Sequence, residues 1–178
     1  MQQHLVISLI SDDKPGIVEK LSAAVTDHGG NWEDCRMAQF AGKFAGILRV
    51  SVASESSQGL KDALGALTDE GYKLVIEDSQ AVPASAMRSL QLRLVGNDRP
   101  GIVREVARTL AARRINVEQL DTACDSTPWS GEPLFTAQCR IRVAKDTDLD
   151  GLRDELDEIA DELGVDIDCD LAADEHTD

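Results

Sequence analysis

The residues best suited to holding a small charged ligand stand in two short runs, Asp13-Lys14-Pro15-Gly16 and Asp98-Arg99-Pro100-Gly101. Each run sets a carboxylate, a cation, a proline and a glycine ahead of an apolar stretch with helical spacing. The first turn of a helix carries free N–H groups that can receive an anion such as a carboxylate. Proline at a helix start loses no useful hydrogen bond, and glycine leaves room for a ligand or another backbone to approach. The aspartate either orders the loop by accepting backbone N–H bonds or faces an ammonium group. Asn31 and Asn116 follow their motifs at the same distance. If they lie near the loops, they add an amide that donates and accepts. This is the chemistry of recognising an amino acid, not of breaking a bond. Asp-x-Pro-Gly is equally a good turn, and Asn after a helix a common cap; a duplicated fold would repeat either, so both readings stand.

Bond-making machinery is not visible. The histidines, His4, His28 and His176, fall at a strand start, a helix end and the acidic tail, and none forms a nucleophile–base pair. There is no phosphate-binding loop and no dinucleotide fingerprint. Cys35, Cys124, Cys139 and Cys169 contain no C-x-x-C pair, which argues against zinc and against a disulfide framework. Cys124 and Cys139 fall on strands predicted to be neighbours, so an approach between them is conceivable; scattered thiols in a reducing compartment is the favoured reading. No enzyme, metal or cofactor is expected.

The net charge of −15, from 33 acidic and 18 basic residues, repels phosphate backbones and anionic lipid. Arg104, Arg108, Arg113 and Arg114, placed in one predicted helix, form the best local basic cluster, and it reads as a solvated face. No apolar run approaches the ~18 residues of a membrane span, and Met1-Gln2-Gln3-His4 leads straight into a strand-like run. The expectation is a cytoplasmic protein that binds neither nucleic acid nor membrane.

The elements that position these motifs occur twice, offset by 85 residues from Asp13 to Asp98. Leu5, Ile7 and Leu9 alternate along a strand. Ile17, Val18, Leu21, Ala24 and Val25 recur as on an amphipathic helix, which His28-Gly29-Gly30 stops. Strands follow at about 31–41 and 44–53, the second carrying Ile47, Val50 and Val52. Leu60, Ala63, Leu64 and Leu67 mark a second helix ended by Gly71, and Tyr72 to Glu77 closes the set. The second copy predicts strands at about 88–96, 116–125, 134–144 and 165–171, with one helix carrying Ile102, Val103, Val106 and Leu110 and another carrying Leu149, Leu152, Leu156, Ile159 and Leu163. A longer loop with Trp129 at its tip replaces the tight Gly42-Lys43 turn, and Trp129 reads equally as a partner anchor or as a lid over its own sheet.

The fold class is therefore α+β. Two ferredoxin-like βαββαβ domains, each a four-stranded antiparallel sheet with two helices on one face, span 1–80 and 88–172. A linker lies at 81–87, and a frayed acidic tail at 173–178. The bare face of each sheet must be covered or solvated.

Asp13-Lys14-Pro15-Gly16-Ile17-Val18 and Asp98-Arg99-Pro100-Gly101-Ile102-Val103, each followed by a helix and an Asn, resemble the ACT domain, a regulatory module that often binds amino acids. Two copies with no attached enzyme resemble the glycine cleavage system transcriptional repressor family. That resemblance implies a homo-oligomeric regulator that senses a small amino acid such as glycine. It would act on a protein partner, a DNA-binding activator, without touching DNA. The implied ligand residues are Asp13, Pro15, Gly16 and Asn31, and Asp98, Pro100, Gly101 and Asn116. In ACT pairs the ligand commonly sits where one domain's loop meets the other domain's helix. His28-Gly29-Gly30 stands where the second copy has Arg113-Arg114-Ile115, so the two sites need not be equal. The alternatives are a ligand-independent association module and a stand-alone allosteric subunit of an amino-acid or one-carbon enzyme.

Overall fold

The computed structural model describes residues 1–79, 87–126 and 131–171. The chain divides into two compact units, Met1–Pro83 and Ala84–Asp178. The first contains β1 (Gln2–Asp12), α1 (Ile17–Asp27), β2 (Asn31–Phe40), β3 (Lys43–Ala53), α2 (Ser57–Ala66), a 3-10 turn (Leu67–Glu70) and β4 (Lys73–Ser79). The second contains β5 (Met87–Asn97), α3 (Ile102–Ala112), β6 (Asn116–Ser126), β7 (Pro133–Ala144), α4 (Leu149–Leu163) and β8 (Val165–Leu171). Both sheets are antiparallel, in the orders β2-β3-β1-β4 and β6-β7-β5-β8. The Trp129 loop, the acidic tail and all of the expected linker except Met87 lie outside the described residues. Met87 itself begins β5.

Strand parity builds each core. Leu5, Ile7 and Leu9 point to the helices and meet Ile17, Leu21 and Val25 of α1 and Leu60 and Leu64 of α2. Leu90, Leu92 and Leu94 do the same against Ile102, Val106, Leu110, Leu152 and Leu156. Burial of such side chains is worth about 1.5–3 kcal/mol each. Three residues expected among the apolar stripes lie outside the cores: Ile47 is 52% exposed, Val18 47% and Val103 43%. Ile47 sits an odd number of residues from Val50 and Val52, so the pleat turns it to the other face.

Both first helices end alike. His28 and Arg113 cap them, Gly30 N–H donates to Val25 O at 2.9 Å, and Ile115 N–H to Leu110 O at 2.9 Å. This is the Schellman arrangement, which needs a left-handed residue just past the cap. Gly29 supplies it at φ 66°, whereas Arg114 is forced to φ 58°. The basic cluster is therefore not one helix face. α3 ends at Ala112, Arg113 pairs with Glu155 at 2.7 Å, and Arg108 pairs with Glu105 at 2.6 Å. No described helix is long and apolar enough to cross a membrane.

Candidate functional site

The motif loops form the same structure in both domains. Gly16 has φ 91°, ψ 2° and Gly101 φ 105°, ψ −13°. These are the angles of the third residue of a type II turn, whose second position favours proline. Pro15 and Pro100 thus precede the helix instead of occupying its first turn, as the sequence had suggested. The glycines form the cap position, and a Cβ on either would meet nothing within 4 Å. Their requirement is conformational, not steric. No capping side chain bonds to the first turn of α1 or α3.

Each loop is clipped to the hairpin beside it. Asp13 N–H donates to Gly42 O at 3.1 Å, and Asp98 N–H to Pro133 O at 2.9 Å. The basic residue of each motif reaches the end of the second helical segment. Lys14 Nζ donates to Glu70 O at 3.3 Å and lies 4.9 Å above the ring of buried Tyr72. The Arg99 guanidinium donates to Glu162 O at 2.8 Å. A cation suits these carbonyls, which carry the negative end of the helix dipole.

All eight expected ligand residues are exposed, but the loop and its asparagine do not converge within a domain. Asn31 faces Ser51, which faces His4, near the start of β1; the motif follows the far end of that strand. The span from His4 to Asp12 is roughly 26 Å at ~3.3 Å per residue. Asn116, Arg142 and Ser89 repeat the arrangement in the second domain. The helix carries the chain back across the sheet before the next strand starts, so closeness in sequence order does not become closeness in space.

A glutamate that the sequence reading missed occupies the asparagine end. Glu33 and Glu118 stand on β-bulges, where the register slips between Trp32 and Asp34 and between Val117 and Gln119. Glu33 accepts from Ser51 and pairs with Arg49 at 2.8 Å and His4 at 3.3 Å. The Ser51 hydroxyl, helped by His4 and Arg49, outweighs burial and holds the Glu33 carboxyl below the usual range. Glu118 pairs with Arg142 and accepts from Ser89 Oγ at 3.3 Å. The signal was available: core-facing Trp32 and Cys35, like Val117 and Leu120, are three apart where an unbroken strand would give two.

The two sites also differ. Cys124 donates to Asp98, while position 39, its counterpart by the 85-residue offset, is Gln. Cys124 faces Phe135 and Cys139 faces Leu120, four places apart along the ladder, so the two thiols do not approach each other. All four cysteines are free. Desolvation, then the Asp98 carboxylate, push the Cys124 thiol pKa up. His28 Nδ1 lies 2.8 Å from Ala24 O; His176 lies outside the described residues. No group of metal-binding side chains occurs among the described residues.

Residues 3–77 match the family model of the ACT domain. No curated protein sequence matches the chain. Among solved structures, an unknown protein from Galdieria sulphuraria is similar over 97% of this chain and 100% of its own, with 28% identity and a TM-score of 0.87. A candidate glycine cleavage system transcriptional repressor is similar over 98% of this chain and 99% of its own, with 20% identity and a TM-score of 0.74. The chain is thus a tandem of two ferredoxin-like domains, the first of which matches the ACT domain model over residues 3–77.

Proposed function

We propose that this protein is an amino-acid-responsive regulator, cytoplasmic and homo-oligomeric, that controls glycine cleavage through a protein partner. The observation carrying the reading is the loop that occurs twice with one geometry: a left-handed glycine opening an 11-residue helix whose first turn receives no capping side chain. Such a turn accepts a carboxylate, and Asp13 or Asp98 then faces the ammonium group. Because Asn31 and Asn116 lie at the far end of each sheet, the amide half of the site is supplied by another copy of the chain. Ligand then favours one assembly over another, and shifts it only by its difference in affinity for the two. The glycine connection rests on the similarity to the candidate repressor, and the net charge of −15 favours a protein target over DNA.

Ligand-independent association is the second reading. Lys14 and Arg99 are spent on helix-end carbonyls and Asp98 on Cys124, so the motif has an architectural use without any ligand. Thermal unfolding against a panel of free amino acids separates the two. At ~100 times the dissociation constant a ligand adds about 2.7 kcal/mol, several degrees for domains of this size. A selective shift supports the sensor; no shift with any amino acid leaves association alone.

A further inference from the structure

The bare sheet faces of the two domains differ in kind. In the second domain, Gln91, Arg93, Gln138, Arg140, Asp166 and Asp168 occupy it, with Val95 exposed between Thr136 and Asp166, a mostly polar face that water can cover. In the first domain the corresponding surface has apolar side chains grouped around Ser8. Ser8 is flanked by Ile47 and Val75, Val6 by Arg49 and Glu77, and Ile10 by Ala45 and Lys73. Ile10 is 43% exposed, Ile47 52% and Val75 58%, and Phe40 extends the same face at 77%. Apolar patches rimmed by polar residues mark interaction sites on soluble proteins.

The charges on this face indicate its occupant. Lys73, Val75 and Glu77 project together from β4, a cation and an anion either side of an apolar residue. Neither lies within ion-pair distance of an opposite charge among the described residues, although Lys73 is near enough to Asp12 to help lower its pKa. We infer that this face docks a second copy of the chain, through a two-fold axis that crosses the strands at the Ser8–Val75 row. That operation lays Lys73 of one copy over Glu77 of the other, twice. It sets Val6 against Ile10 and brings each of Ile47, Ser8 and Val75 onto its own counterpart; Arg36, at the β2 end of the same row, also meets its counterpart, its charge offset by Asp34 of its own strand at 2.8 Å. Sheets pack ~10 Å apart, a gap that a facing lysine and glutamate bridge. A two-fold contact must be self-complementary, and this strand is. Four strands ~4.8 Å apart, each seven or more residues long, offer on the order of 500 Å² of flat area. That lies below the ~800 Å² per partner of a standard interface, so the pair dissociates on dilution.

Sedimentation equilibrium on the full chain tests this surface without reference to any amino acid. The expected result is a concentration-dependent dimer of the 19.3 kDa chain. Lys73→Glu and Glu77→Lys each weaken it at least about tenfold by facing like charges, with the circular dichroism spectrum unchanged. The double exchange Lys73→Glu/Glu77→Lys restores it. Val95→Glu, at the place in the second domain that matches Ile10, leaves it intact. A monomer at every concentration overturns the inference. So does a dimer indifferent to the single exchanges, a double exchange that fails to restore association, or a Val95→Glu variant that dissociates as far as the single exchanges do.

Discussion

The guanidinium of Arg99 donates to the main-chain oxygen of Glu162 at 2.8 Å, tying the motif loop of the second domain to the C-terminal end of α4. Lys14 and Glu70 repeat the tie in the first domain. The basic residue of the motif is thus a strut between a loop and a helix end. Arg99→Ala should cost about 0.3–1 kcal/mol, the usual range for a cation at an exposed helix end, and less in high salt. Arg99→Lys should keep most of it, since Lys14 already performs the task. Urea unfolding at two salt concentrations measures both. A loss that salt does not diminish would mean that stem packing, not charge, holds the loop.

Two left-handed positions predict opposite signs. Gly101, at φ 105°, has open space where a Cβ would go, so Gly101→Ala strains the backbone without a clash and should cost about 1–2 kcal/mol. Arg114 already bears such strain at φ 58° where Gly29 does not. Arg114→Gly should therefore stabilise, by about 0.5–1 kcal/mol after the extra freedom of glycine in the unfolded chain is set against it. Thermal unfolding of the two variants beside the parent decides the signs.

The elements were legible because the periodicities were clean. Leu5, Ile7 and Leu9 declared a one-sided strand, and residues 165–171 form β8 as expected. What failed required knowledge of space. Type II geometry at Gly16 put Pro15 outside the helix, although proline suits either place. Asn31 could have lain near Asp13 by sequence order alone, but the strand order puts β3 between β1 and β2, and α1 returns the chain to the other end. The polarity of the second domain's bare face could have been read from Asp166, Asp168 and Asp170 alternating along the last strand. The partners of Glu33 could not, because they come from strands far apart in sequence.

The Glu33 carboxyl gives the first domain an acid limit. Its pKa in the folded chain is lowered, chiefly by the Ser51 hydroxyl and further by His4 and Arg49. A depressed carboxyl contributes stability that is full above its unfolded value, about 4.3, and is lost as pH falls through the folded value. Glu33→Gln should therefore lower the Tm near neutrality, and the gap between variant and parent should close below about pH 4. Melting curves between pH 7 and pH 3 follow it. A gap that is constant across this range would assign the loss to packing.

Asp98 and Asn116 lie at opposite ends of one sheet, and the proposed site draws on them from different copies of the chain. Asp98→Ala and Asn116→Ala should each weaken amino-acid binding, by roughly tenfold if one charge-assisted hydrogen bond is lost. The fold should survive, since both residues are exposed. Asp98→Ala carries a second readout. With the carboxylate gone, one cause of the raised Cys124 pKa disappears, more thiolate forms near pH 8, and alkylation of that thiol quickens. Asn116→Ala leaves that rate alone. Titration calorimetry beside timed alkylation thus distinguishes a ligand contact from loop order. Faster alkylation with unchanged affinity would remove Asp98 from the ligand site and leave it as the partner of Cys124.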